Sequence, residues 1–244
     1  CIVSSNLDEF FEVRADLHMS AYRNQDTKGS YNTETFEKVY ETARSLVNEQ
    51  YKLYNDVLLP RLEKEKIKIL SHAQRNQAQK KWVQEFFRRE VKPLLVPVGL
   101  DPAHPFPQVA NKSLNFIVQL SGKDAFGRSN DIAIVKVPRV LPRVIPLPAK
   151  VAGGDKSFVL LSSVIRAHLS DLFPGREVGQ FSQFRVTRNS DLSFDEEDVE
   201  NLRTALRKGL QHRQYGEALR LEVSDSCSEH LSNFLLKQFA LPET

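Results

Sequence analysis

The sequence predicts an α+β protein, with an amino-terminal α-helical hairpin followed by a mixed α/β domain whose strands are largely antiparallel. Two patterns predict this class. Apolar residues recur with a helical period before Pro60, and short apolar runs of strand-forming residues become common from Lys92 onward. Several strands with scattered helices are typical of the α+β class.

The first helix is predicted to begin at Asn6, whose side chain can cap free backbone N–H groups while Glu9 completes a capping box. The apolar stripe of this helix comprises Leu7, Phe10, Phe11, Leu17 and Ala21. Arg14 falls on the same stripe. An arginine there can snorkel to water, pair with an acid such as Asp8 or Glu9, or contact an anion.

A second, longer helix is predicted from Phe36 to Leu58, just before Pro60. The polar stretch from Asn24 to Asn32 separates it from the first helix. Two helices that share an apolar seam form an αα-hairpin. Because the chain begins abruptly at Cys1, we expect this hairpin to expose apolar surface.

A domain boundary is predicted where the periodicity changes. Ile67 and Ile69 alternate with Lys66 and Lys68, as in a short strand. The boundary gives a partial amino-terminal helical domain over residues 1–66 and a second domain over residues 67–244.

A basic helix is predicted from about Gln74. Its apolar face carries Trp82, Val83, Phe86, Phe87 and Val91. The basic residues around it are Arg75, Lys80, Lys81, Arg88 and Arg89. We interpret this basic run as a solvated face.

The remaining chain is predicted to alternate between strands and helices. The predicted strands are 94–98, 114–120, 132–137, 158–161, 181–187 and 218–223. The predicted helices are 162–173, a segment from Asp195 to Leu210, and one that follows a capping box of Ser226 and Glu229. The proline-rich segment from Pro138 to Pro148 cannot be a central strand, so it is predicted to be a rigid edge segment or a docking surface.

Composition and charge restrict the function. With 41% hydrophobic and 27% charged residues, the chain is typical of a globular protein with a core. A net charge of +3 argues against a nucleic-acid partner. No apolar run approaches the ~20 residues of a transmembrane helix. Cys1 and Cys227 lie far apart without metal-ligand spacing, which favours a cytoplasmic protein.

No complete catalytic motif is present. The phosphate-binding GxxxxGK[ST] string, the protein-kinase motifs and the GxSxG elbow are missing from the sequence. None of the six histidines pairs with another at metal-ligand spacing. His104 lies in a rigid proline-rich loop, but no nucleophile or carboxylate can be placed beside it. We therefore predict no catalytic residue and no metal ligand in this chain.

The segment from Ser5 to Arg14, SNLDEFFEVR, resembles the SNLDEF…VR signature of the polyphosphate kinase family. Further blocks follow in the order found in that family: Ala73-Gln74, 93–97, 101–107, 111–115 and 184–188. Together these blocks span essentially the whole chain.

The resemblance implies an enzyme that makes polyphosphate reversibly from ATP through a phosphohistidine. Such enzymes contain an amino-terminal helical domain, a head domain and two phospholipase-D-like domains. The resemblance places the two catalytic histidines and the Mg²⁺-binding arginines outside this chain, which alone is expected to be inactive. It also implies a homodimer or higher homo-oligomer formed through the head domain. The expected location is the cytoplasm, with peripheral attachment to the inner membrane as an alternative.

The resemblance also implies two ATP-binding residues. Asn6 matches the family's asparagine at the nucleotide base, and its amide could both cap the helix and donate to a ring nitrogen of adenine. Arg14 is the second candidate. The alternative is a stand-alone, non-catalytic module whose basic clusters, Arg75 to Arg89 and Arg185 to Arg188, hold polyphosphate or other anions.

Overall fold

A computed structural model of the chain describes residues 2–13, 33–101, 105–123, 127, 131–154, 156–189 and 216–241. These residues form two units. The first combines Cys1–Gln50, Gln108–Leu114 and Ser182–Thr244, and the second combines Tyr51–Pro107 with Asn115–Phe181. The predicted α+β class is confirmed, since helices come first and most strand pairs are antiparallel.

The helices in chain order are α1 (Ile2–Val13), α2 (Thr33–Leu53), α3 (Leu59–Lys64), α4 (Gln77–Phe86), α5 (Ala149–Ala152), α6 (Leu161–Arg166) and α7 (Glu229–Gln238). The strands are β1 (Ile67–Ile69), β2 (Pro97–Gly99), β3 (Asn115–Ser121), β4 (Ile132–Lys136), β5 (Val144–Pro146), β6 (Lys156–Leu160), β7 (Glu177–Arg188) and β8 (Ala218–Val223). Single π-helical turns occupy Tyr54–Leu58 and Phe87–Val91, and 3₁₀ turns occupy Lys92–Leu94 and Leu169–Leu172.

Helix α1 begins at Ile2, so the prediction that Asn6 caps its amino terminus is wrong. No proline or glycine precedes Asn6 in this helix, and extending an existing helix by a few residues is easier than starting one. The apolar seam with α2 is present, because Phe11 meets the ring of Tyr40 edge-on at 5.9 Å. Ile2 and Val3 remain 78% and 44% exposed, as expected of a hairpin with apolar surface.

The long second helix does not stop before Pro60. A π-helical turn follows α2, and α3 continues the helical path with Pro60 in its first turn. Proline is tolerated there because a first-turn N–H has no helical acceptor in any case. The helix ends at Glu65, and Lys66 takes a left-handed conformation with φ of 59°.

The second unit contains two three-stranded groups. In one, β6 lies between β1, which is parallel to it, and β5, which is antiparallel. In the other, β4 pairs antiparallel with β2 and β3. Strand β5 lies inside the segment from Pro138 to Pro148 and occupies a sheet edge, as predicted for a rigid edge segment. The core includes Phe116, Ile117 and Ile134, which are fully buried.

Helix α4 starts later than predicted, at Gln77. Asn76 is its cap, and Asn76 and Gln79 form a reciprocal capping box. Val83, Phe87 and Val91 are buried on the predicted apolar face. Four of the predicted basic residues are exposed, but Arg75 is only 3% exposed. The interpretation of Arg75 as part of a solvated face is therefore wrong.

In the first unit, β7 and β8 pair antiparallel with Phe184 opposite Val223. Helix α7 packs beside them through Phe239, whose ring lies 6.1 Å from that of Phe184. Ser228, not Ser226, caps this helix, because the Ser228 hydroxyl accepts from the Leu231 N–H. Both serines precede the same apolar run, so the pattern alone did not fix which one acts as the cap.

The strands predicted at 114–120, 132–137, 158–161, 181–187 and 218–223 correspond to β3, β4, β6, β7 and β8 within a few residues. The predicted helix 162–173 is divided into α6 and a 3₁₀ turn. The predicted helix from Asp195 to Leu210 lies outside the described residues. Among the helices that the structure describes, none has the length and apolarity to cross a membrane.

Candidate functional site

The first unit holds the signature segment in place through Asp8. Its carboxylate accepts two hydrogen bonds from Arg185 in β7, at 2.8 Å from Nη1 and 2.9 Å from Nη2. Asp8 is 7% exposed, so this pair is largely shielded from water. A bidentate arginine–carboxylate pair fixes direction as well as distance. The ion pair therefore sets the face that α1 turns toward the strands.

Arg185 is shared between two acids. Its Nε donates to Oε2 of Glu222 at 2.7 Å, and Glu222 is also its cross-strand neighbour in the β7–β8 register. Burial by itself lowers the pKa of Arg185, but the charges of Glu222 and Asp8 outweigh burial and raise this pKa. Arg185 is thus a fully paired structural cation.

A second arginine extends the same cluster. Arg220 Nη2 lies 3.3 Å from Glu222 Oε1, and Arg220 Nη1 lies 4.0 Å from Asp8 Oδ1. Its guanidinium also lies over the ring of Phe11, 5.1 Å from the centroid, in a cation–π geometry. Tyr40 lies nearby, and its pKa is raised mainly by burial. The face of α1 that carries Asp8 and Phe11 is therefore held by ion pairs and by aromatic packing together.

A further contact holds α1 one turn after Asp8. The Glu12 carboxylate accepts from the Asn111 amide, and its Oε2 lies 2.6 Å from Lys112 Nζ. Asn111 in turn accepts from the backbone N–H of Arg188 at 2.9 Å. Asp8 and Glu12 are four residues apart, so they share one helix face. That face of α1 is committed to structural contacts.

Asn6 lies on a different face. Residues two positions apart in an α-helix point about 200° away from each other around the helix axis. Asn6 therefore projects away from the face on which Asp8 binds Arg185. The structure places Asn6 in the interior of α1 and exposed to solvent. Capping therefore does not use its amide oxygen, and both the acceptor and the two N–H donors can face a ligand.

The other predicted site residue, Arg14, lies outside the described residues. Of its two predicted acidic partners, Asp8 and Glu9, Asp8 is bound to Arg185 and lies near Arg220. The structure thus places Asn6 and Asp8 on different faces of the same helix.

The basic cluster from Arg185 to Arg188 is not an open anion site. Arg185 is paired with Asp8 and Glu222. Arg188 donates from Nε to the Val109 carbonyl at 2.9 Å and from Nη1 to the Gly216 carbonyl at 2.7 Å. Both guanidinium groups are occupied within the unit, so this cluster does not favour the anion-holding module.

The histidines that the structure describes show no catalytic grouping. His168 stacks on Phe87 with ring centroids 4.6 Å apart, and its Nδ1 lies 2.9 Å from the Val164 carbonyl oxygen. His72 and His230 are exposed. His104 lies outside the described part of the chain. Within that part, no three His, Cys, Asp or Glu side chains are grouped as a metal site would require.

The sequence did not identify Glu12, Arg220 or Glu222 as supports of the signature segment. A signal existed, because Arg220 and Glu222 alternate in β8 and share a face. Arg185, in the preceding strand, has the charge opposite to that of Glu222, and opposite charges that face each other across two strands stabilise their pairing. Using that signal requires the β7–β8 register, which only the structure supplies.

Comparison with known proteins gives consistent results. Residues 1–70 match the family described as Polyphosphate kinase N-terminal domain, and residues 78–244 match Polyphosphate kinase middle domain. The chain is 51% identical over 250 residues to a polyphosphate kinase of Neisseria gonorrhoeae, covering 100% of this chain and 36% of that protein. It is 49% identical over 247 residues to a polyphosphate kinase of Pseudomonas syringae pv. tomato, covering 100% and 34%.

A solved structure has the same fold. The crystal structure of polyphosphate kinase from Porphyromonas gingivalis superposes with a TM-score of 0.71 at 23% identity, covering 98% of this chain and 32% of that one. The chain thus spans about a third of the length of these relatives.

Proposed function

The chain belongs to the polyphosphate kinase family, and on that premise we propose that it supplies the adenine-binding edge of an ATP site. In the complete enzyme, the γ-phosphate of ATP passes reversibly to polyphosphate through a phosphohistidine located outside this chain. The part described here binds the base and supports the site. It does not carry out phosphoryl transfer alone.

The observation that carries the proposal is the arrangement of α1. Asp8 and Glu12 fix one face of this helix through Arg185 and Lys112. Asn6 is exposed on another face, in the interior of a helix whose orientation is fixed. A binding residue on a rigid element loses little conformational entropy when it meets its ligand.

The Asn6 amide matches adenine chemically. Its oxygen can accept from the exocyclic amine of adenine while its N–H group donates to a ring nitrogen. We include Arg14 as a second ATP-binding residue, on the basis of the signature segment alone. An arginine would pair with a phosphate oxygen and not with the base.

We assign the remaining functions by family membership. Mg²⁺ is held by residues outside this chain, and residues 67–244 form a head domain that joins subunits into a homodimer or a larger homo-oligomer. Residues 1–66 form part of the helical domain. The proposed location is the cytoplasm, with peripheral attachment to the inner membrane as the alternative.

The proposal is tested with Asn6→Ala in the full-length enzyme. We expect the KM for ATP to rise about tenfold with a smaller change in kcat, because the base contact contributes to binding before and during transfer. Asn48→Ala is the matched control, since Asn48 is an exposed asparagine in helix α2. An unchanged KM in Asn6→Ala would exclude Asn6 from the ATP site.

A further inference from the structure

Arg75 of the second unit is a buried cation. It is 3% exposed and immediately precedes Asn76, the cap of α4. The capping box holds the backbone at this point, with hydrogen bonds of 2.9 Å in both directions between Asn76 and Gln79. The position of Arg75 is therefore set by the start of the helix.

The guanidinium of Arg75 is only partly satisfied. Its Nη2 donates to the hydroxyl of Ser163 in α6. Its buried Nε and Nη1 meet no hydrogen-bond acceptor among the described residues. Burial lowers the pKa of Arg75, yet a guanidinium stays protonated at neutral pH. The charge cannot be relieved by losing a proton, so an anion is the natural compensation.

A cavity of about 280 Å³ lies against this group. Its lining includes His72, Arg75, Lys80, Lys81 and His168, with no carboxylate among the described residues that line it. The volume falls just below the ~300–1,000 Å³ typical of drug-sized ligands, which favours a small ligand. The pKa of His72 is lowered by desolvation first, then by Arg75, Lys80 and His168, as expected beside a positive cavity.

We propose that this cavity binds a phosphate-type oxyanion, attracted by the buried charge of Arg75. An anion in the cavity offsets a guanidinium charge that no carboxylate among the described lining residues neutralises. Lys80 and Lys81 are exposed at the surface of α4, where they add charge without losing their own solvation. Arg185 gives the contrast, because Asp8 and Glu222 already neutralise its charge.

The proposed oxyanion site uses no contact of Asn6. The oxyanion can be free inorganic phosphate or one phosphate group of a polyphosphate chain. Both carry the same charged tetrahedral phosphate oxygens, so the two ligands are distinguished by comparing phosphate with tripolyphosphate.

The test is amide hydrogen exchange of the full-length protein, followed by mass spectrometry over residues 71–79. Inorganic phosphate and tripolyphosphate are added in turn, against potassium chloride at equal ionic strength. At ten times the Kd, we expect exchange in this segment to slow by up to about tenfold, because ligand binding suppresses local opening. Arg75→Gln should abolish the effect, whereas Arg88→Gln, which removes an exposed charge outside the cavity, should preserve it.

Lys81→Gln serves as a second variant, because its side chain is exposed and its replacement does not disturb the core. It should weaken the protection. Equal protection by phosphate and tripolyphosphate supports free phosphate as the ligand, and stronger protection by tripolyphosphate supports the chain. Unprotected residues 71–79 in the wild type, or equal protection in wild type and Arg75→Gln, would overturn the proposal. Neither result depends on the KM for ATP, so the two proposals fail separately.

Discussion

Asp8 and Arg185 form a two-pronged ion pair, 2.8 and 2.9 Å in length, although they are 177 positions apart in the chain. The pair joins the signature segment on α1 to strand β7. Glu222 and Arg220 surround it on β8, so the charges alternate through the cluster. A helix at the beginning of the sequence is thus oriented by residues near its end.

Asp8→Ala should loosen α1. The change leaves the Arg185 guanidinium with Glu222 alone, and a lost charged hydrogen-bond pair in this setting costs about 2 kcal/mol. That cost corresponds to about thirtyfold faster local opening, which amide hydrogen exchange over residues 2–13 would measure. Glu9→Gln is the control, because Glu9 is exposed on the same helix. Equal exchange in Asp8→Ala and the wild type would show that the ion pair does not hold α1.

Local patterns were sufficient for most elements but not for the site. Strand β8 covers the residues predicted for it, Ala218–Val223, because alternation and β-branched or long apolar residues are readable within one segment. The partners of Asp8 cannot be predicted from such a local pattern, since they come from β7 and β8. Physical contact between distant segments depends on packing, which periodicity does not specify.

Arg75 illustrates the same difference. In the sequence, Arg75 precedes the basic residues of α4, and this run of basic residues predicts a solvated face. Its burial arises because α6 brings Ser163 against it, 88 residues later in the chain. The prediction that Asn6 caps the helix failed for a related reason. A residue caps a helix only where the residues before it are not helical, and here the residues before Asn6 are part of α1.

Lys66→Gly should stabilise the second unit. Lys66 has a φ of 59° at the end of α3, where a Cβ atom costs ~1–2 kcal/mol. Part of that gain is offset by the greater freedom of glycine in the unfolded chain, which leaves about 0.5 kcal/mol in favour of folding. Urea denaturation measures the change. Lys66→Ala keeps the Cβ atom and removes the same charge, so a similar gain in that variant would contradict backbone strain as the cause.

Tyr40 should make stability fall at high pH. Burial raises its pKa above 10.0, Glu222 adds to the rise, and Arg220 and Arg44 oppose it. The folded state therefore keeps the phenol proton at a pH where the unfolded chain has lost it, so the free energy of unfolding decreases as pH rises above about 10. Urea midpoints between about pH 9 and 11 should decline less steeply in Tyr40→Phe.

Tyr51→Phe, at an exposed position of α2, controls for the loss of a tyrosine hydroxyl. Parallel pH profiles for wild type and Tyr40→Phe would rule out Tyr40 as the source of the decline.

Asn6→Asp should change which base the complete enzyme prefers. An asparagine offers one acceptor and one donor group, which matches the amine and ring nitrogen of adenine, whereas an ionised aspartate offers only acceptors. Guanine presents two donors on its Watson–Crick edge and suits those acceptors better. A paired base contact contributes ~1–3 kcal/mol, so the ratio of kcat/KM for ATP to that for GTP should fall about tenfold or more. The ratio cancels any repulsion between the introduced carboxylate and the triphosphate, because ATP and GTP carry the same charge there. If the ratio is unchanged while Asn6→Ala still raises the KM for ATP, Asn6 contacts the nucleotide away from the edge that distinguishes the two bases.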